Sequence, residues 1–127
     1  MTTEEQHHVE LIRGISSEYQ AILESSSQSI YLYLDDMHKV CNQKFASLLG
    51  YASPGEWAQA EGPFTQLFVD AGSQAALVEA YTSAMNRKAA SSLQVTWRKK
   101  SGGSVATGVI LVPVAYQGHL FALHFID

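Results

Sequence analysis

The chain has 127 residues, 46% hydrophobic and 16% charged, with 8 Lys+Arg against 12 Asp+Glu. That length suits one domain that buries a core without disulfides or a structural metal. The net charge of −4 excludes a nucleic-acid coat, which needs surplus cations to neutralise phosphates. The single cysteine, Cys41, excludes an internal disulfide and fits a reducing compartment. No apolar run reaches the ~20 residues of a membrane span, and the polar, acidic stretch 1–8 is unlike a signal peptide. A soluble, cytoplasmic single domain is expected.

The pattern predicts one helix from Thr2 to about Leu23, capped by Thr3 with Glu4 and Glu5 in its first turn. Ile12, Ile15, Tyr19 and Ile22 fall on one stripe at 3-4-3 spacing. Such a stripe either packs on its own domain or forms a seam with a second copy. Gly14 weakens this helix by about 1 kcal/mol relative to Ala, so it depends on packing. A serine-rich turn (residues 25–29) ends it.

Ile30 to Leu34 reads as a strand, with Ile30, Leu32 and Leu34 on one face and Tyr31 and Tyr33 on the other. After the turn Asp35–His38 comes a short strand, Lys39–Cys41. Asn42 then caps a helix in which Phe45, Leu48 and Leu49 face inward, and Gly50 stops it. Ser53-Pro54 starts another short helix, and Phe64, Leu67 and Phe68 form an apolar turn. From Gly72 to Arg87 the helical period is clear. Leu93, Val95 and Trp97 then alternate with polar residues as a half-buried strand. Hairpin turns at residues 99–103 and at Gln117-Gly118 join it to two further strands. The three make an antiparallel meander, and segregated elements of this kind indicate an α+β fold. The last two strands are apolar on both faces, so helices cover one side and the leading helix or a second subunit covers the other.

With these elements in place, the chain from about Ala21 to Asp127 resembles a PAS domain, a small sensory module of signalling proteins. The likeness rests on the strand ending in an acidic turn (Ile30 to Asp36) and the run Asn42-Gln43-Lys44-Phe45-Ala46-Ser47-Leu48-Leu49-Gly50-Tyr51. It rests also on the hairpin Trp97–Ser104, the corner Val112-Pro113-Val114 to Gly118, and the ending Phe125-Ile126-Asp127. The resemblance implies a five-stranded antiparallel sheet, short helices on one face and an N-terminal helix on the other. Residues 1–24 would then be a dimerisation or packing helix and residues 25–127 the sensor domain. It also implies an output domain or a signalling partner, which these residues do not include.

The pocket implied between sheet and helices would be walled by Leu32 and Leu34 from the first strand and by Phe45 and Leu49. Phe64, Leu67, Leu77 and Tyr81 from the later helices, and Leu93, Val95 and Trp97 from the third strand, would complete it. The same residues make a plain core if nothing binds. The flavin subgroup's reactive Cys has no counterpart in Gly62–Phe68, and the haem sensors' axial His none in Ser73–Lys88, so no cofactor is indicated. No metal set is evident from spacing. His7 and His8 diverge by about 100° on a helix, and His119 and His124 point to opposite faces of a strand. His38 and Cys41 straddle a turn. Cys41 has no well-placed base, and Asp35 and Asp36 read as turn residues.

Three functions follow. The first is a non-catalytic sensory module of two-component type that dimerises through Ile12, Ile15, Tyr19 and Ile22. The second is a small-molecule receptor for flavin, haem or an apolar metabolite. The third is an enzyme on a similar cone, which needs a carboxylate beside a tyrosine.

Overall fold

The computed structural model describes residues 3–127; Thr2, where the sequence pattern starts the first helix, lies outside them. The elements run α1 (Thr3–Glu18), α2 (Gln20–Ser25), β1 (Ser29–Asp35), β2 (His38–Cys41), α3 (Gln43–Leu48) and α4 (Pro54–Ala58). Then come α5 (Phe64–Phe68), α6 (Ala71–Arg87), β3 (Ser91–Arg98), β4 (Ser104–Tyr116) and β5 (His119–Ile126). The strands form one five-stranded sheet in the order β2-β1-β5-β4-β3, and every pairing is antiparallel. The α+β architecture expected from the sequence is the one observed.

Local chemistry sets the element boundaries. The Asn42 side chain accepts from Phe45 N–H at the start of α3, and Ser53 does the same for Glu56 N–H at α4. Asp70 caps α6 at Gly72 N–H, and Lys88 closes that helix in the left-handed region. Gln117 and Gly118 both take positive φ, the turn that matches the twist of the β4–β5 hairpin.

The sheet separates two apolar layers. On its inner side Tyr31, Phe45, Trp57, Phe68 and Trp97 form the centre of a core closed by α3 to α6. On its back Leu11, Ile15 and Leu23 from the leading helices pack on Ile30, Leu32, Phe121 and Leu123. The leading helix therefore covers its own sheet.

Three expectations are corrected here. The single leading helix is divided at Tyr19, whose non-helical φ/ψ of −97°/7° separates α1 from α2 and lets Leu23 reach the same cluster as Leu11 and Ile15. The stripe Ile12, Ile15, Tyr19, Ile22 does not act as one surface. Ile15 is fully buried within the chain, Ile12 and Tyr19 lie at the margin of the back cluster, and only Ile22 is half exposed. Ile15 is thus unavailable to a second copy while α1 is docked. Finally, Leu32 and Leu34 belong to the back layer and not to the space under the helices.

Gly14 has a reason that composition alone does not supply. A Cβ at this position would collide with the Tyr116 hydroxyl at the end of β4. Gly14 thus leaves room for the Tyr116 ring end against α1.

Candidate functional site

The parity of β1 decides what faces the short helices. Because successive side chains alternate, docking of Ile30, Leu32 and Leu34 against α1 turns Tyr31 and Tyr33 inward. Their register partners on β5 bring in His124 opposite Tyr31 and Ala122 opposite Tyr33. Above them, α5 supplies Phe64 and Thr65, and α6 supplies Leu77, Val78, Tyr81 and Thr82. The result is an open cleft of ≈ 310 Å³ with Asp36 at one end. A larger groove of ≈ 630 Å³ lies between α1–α2 and the start of α3. Its lining of Arg13, Gln20, Glu24 and Gln43 is surface-like, whereas the cleft converges apolar walls on a few polar groups, as ligand sites do.

Tyr33 Oη donates to Asp36 Oδ1 at 2.8 Å, and the backbone N–H of Phe64 donates to the same oxygen at 3.1 Å. Burial, then the hydrogen bond and charge of Asp36, push the Tyr33 hydroxyl well above its ordinary range. Burial does the same for Tyr31, and for Tyr81 with help from Asp35 and Asp36. All three hydroxyls therefore stay protonated at neutral pH. At the floor, His124 Nδ1 lies 3.1 Å from the Ala122 carbonyl. Burial holds its pKa down to about 3, so the ring is neutral and Nδ1–H is the donor to that carbonyl.

Of the eleven residues expected to wall a pocket, Phe64, Leu77 and Tyr81 line the cleft. Phe45, Leu49, Val95 and Trp97 are buried beneath it in the core, with Leu67 and Leu93 at its margin. Leu32 and Leu34 are on the other side of the sheet. The sequence reading missed Tyr31, Tyr33, Asp36 and His124. The alternation of β1 is the usable signal, but hydrophobicity alone favours Leu32 and Leu34 over the tyrosines as pocket walls.

Beside the cleft, Lys39 is 3% exposed. Its Nζ donates to the carbonyls of Asp36 at 2.8 Å and Ala58 at 3.2 Å, and lies over the Trp57 ring. Burial lowers its pKa, opposed by the charges of Asp36 and Asp35. The ammonium thus ties the β1–β2 turn to the end of α4. Burial pushes the Cys41 thiol up to about 12, so it stays protonated at neutral pH and is a poor nucleophile.

The histidines depart from the expectation drawn from spacing. Four of the chain's five, His7, His8, His38 and His119, gather where α1 crosses the β1–β2 turn and the start of β5. Residues far apart in the chain are joined here by tertiary structure, which pairwise spacing does not encode.

No protein-family model matches the sequence, and no curated protein matches it. Solved structures do match in fold. A PAS domain from Colwellia psychrerythraea superposes with a TM-score of 0.68 at 15% identity, covering 89% of this chain and 95% of that one. The PAS domain of an HTR-like protein from Haloarcula marismortui gives 0.62 at 17% identity, covering 96% and 98%. The fold is that of a PAS domain. A domain of a sensory box sensor histidine kinase/response regulator from Geobacter sulfurreducens is also similar, with a TM-score of 0.62 at 15% identity over 91% and 96% of the two chains. In this PAS fold the cleft lies between the sheet and α5–α6. Among the described residues no helix is long and apolar enough to cross a membrane.

Proposed function

We propose that the chain is a non-catalytic sensory module that works in the cytoplasm, pairs with a second copy, and passes a signal to an output domain or partner protein. The observation that carries this reading is the end-to-end likeness in fold to a domain of a sensor histidine kinase/response regulator. The back of the sheet supports the pairing. Ile110 is 47% exposed there, in register with Phe125, and Ile22 on α2 is 50% exposed. Ile12 and Tyr19 pack at the edge of this face, while Ile15 serves the chain's own core. Light scattering during size exclusion tests it: the wild-type chain runs as a dimer, and Ile22→Asp with Ile110→Asp runs as a monomer. A monomeric wild type at every concentration removes the self-association.

A second reading is favoured by the cleft, which would receive a small molecule. At ≈ 310 Å³ it sits at the low end of ligand pockets, roughly 300–1,000 Å³. That size favours a small apolar or aromatic metabolite over flavin or haem. Asp36 and the protonated tyrosines favour a ligand that turns a donor or a positive charge toward the carboxylate. Mass spectrometry of extracts from freshly purified protein, with Tyr33→Phe and Leu77→Trp as comparisons, tests this. A species lost in both variants supports it, and identical extracts oppose it. The carboxylate–tyrosine pair that a cone-type isomerase needs is present as Asp36–Tyr33. However, Asp36 Oδ1 is already engaged by two donors of the chain itself, which suits a structural role at the cleft's end.

A further inference from the structure

The histidine corner has a geometry of its own, apart from the cleft. Asp35 ends β1, and two of its neighbours in the tight turn fix its carboxylate. Oδ1 accepts from the backbone N–H of Met37 at 3.0 Å and of His38 at 2.8 Å. The same oxygen faces His38 Nδ1 at 2.7 Å, and Oδ2 faces His8 Nδ1 at 3.1 Å. One carboxylate therefore has an imidazole on each side, one from the sheet and one from α1. The two rings meet edge to face with centroids 5.5 Å apart. A ligating atom from each of the three side chains lies within 4.8 Å of the others. The site is sheltered without being sealed: the side chains of His8, Asp35 and His38 are 23%, 37% and 12% exposed.

Two imidazole nitrogens and a carboxylate oxygen are the donor set that first-row divalent ions take, with the remaining position filled by water. The arrangement also has the supporting contacts such sites use, because backbone N–H groups hold the carboxylate in place. His38 and Asp35 are set by the β1–β2 turn, so small side-chain adjustments of His38 and of His8 on α1 would close the three around an ion. Each ring can present Nδ1 to an ion once its hydrogen sits on Nε2.

We propose that His8, Asp35 and His38 bind one divalent first-row transition-metal ion, with Zn²⁺ as the representative case. The ion would clip α1 to the β1–β2 turn, so that occupancy reinforces the docking of the helix over the back layer. This inference goes beyond the sensory reading and does not depend on it. A neighbouring pair, His7 Nε2 and His119 Nε2 at 3.2 Å, offers the competing location.

The test is calorimetric titration of the untagged, metal-stripped chain with ZnCl₂, followed by visible spectroscopy with CoCl₂. One saturable site per chain is expected, with d–d bands on Co²⁺ binding. Asp35→Asn and His38→Ala should weaken binding at least about tenfold, since even loss of a supporting contact costs 10–100-fold. Because changes in the turn could disturb the fold, His8→Ala on the surface of α1 serves as the second variant. Zn²⁺ should raise the thermal midpoint of the wild type and leave that of His8→Ala unmoved. Absence of saturable binding overturns the assignment. So does binding that survives His8→Ala and His38→Ala but is lost in His7→Ala or His119→Ala, which would place the ion at the neighbouring pair.

Discussion

Tyr31 and His124 stack across the β1–β5 pair with ring centroids 3.9 Å apart and planes within 10°. Both are buried, and Phe45, Trp57, Phe64 and Trp97 surround the tyrosine ring. A charged imidazole has no water to solvate it in this stack.

Stability should therefore fall in acid through His124. Its folded pKa of about 3 lies below the ordinary 6.5. As pH falls through 6.5 the unfolded chain takes up this proton and the folded chain does not. The stabilisation is complete above pH ~6.5 and is lost progressively toward pH ~3, with a slope of up to about 1.4 kcal/mol per pH unit. Urea unfolding at pH 7.5 and 4.5 measures it. His124→Phe should show a shallower pH dependence than the wild type, and an unchanged slope would contradict the assignment.

Ile15 and Ile22 share the leading stripe but not its burial, which is 0% against 50% exposed. Ile15→Ala should cost about 2–5 kcal/mol, the range for a fully buried isoleucine. Ile22→Ala should stay within about 0.5 kcal/mol. Chemical denaturation of both at low protein concentration separates packing within the chain from association.

Gly14 and Tyr116 should be coupled. In an exposed helix Gly→Ala gains about 1 kcal/mol. Here the new methyl meets the Tyr116 hydroxyl, so Gly14→Ala should gain nothing or destabilise. In a Tyr116→Ala background the same change should recover much of that ~1 kcal/mol. A double-mutant cycle reads the difference.

Asn42 satisfies three backbone groups at once. Oδ1 accepts from Ile30 N–H at 3.1 Å and Phe45 N–H at 3.0 Å, and Nδ2 donates to the Gln28 carbonyl at 2.9 Å. Asn42→Ala leaves all three unpaired near the core and should cost about 2–4 kcal/mol. Asn42→Ser keeps a cap acceptor for the start of α3 without a buried charge and should cost less. Equal losses in the two variants would show that the cap contributes little.

The fold was legible where a residue acts on its neighbours in the chain. Asn42, Ser53 and the Gln117-Gly118 turn mark boundaries by local hydrogen bonds or backbone dihedrals, and the alternation of Leu93, Val95 and Trp97 marks an inner face. The site was less legible because it depends on which face of β1 meets which layer. Period two gives the two sets, Ile30/Leu32/Leu34 and Tyr31/Tyr33, but says nothing of what covers each. The docked α1 absorbs the aliphatic set, and the tyrosines turn toward Asp36. The histidine corner was invisible for a related reason: His8, His38 and His119 meet only after the helix is laid over the finished sheet. Lys39 likewise looks like an ordinary strand lysine until α4 brings the Ala58 carbonyl above it.

Cys41 gives the molecule a stopwatch. Cys41 is 5% exposed with its acidity suppressed, so an alkylating reagent reacts slowly with the closed chain and faster when the structure around β2 opens. Labelling at this one atom, timed against denaturant, would clock how often the β2 edge of the sheet comes ajar without any dye or engineered tag.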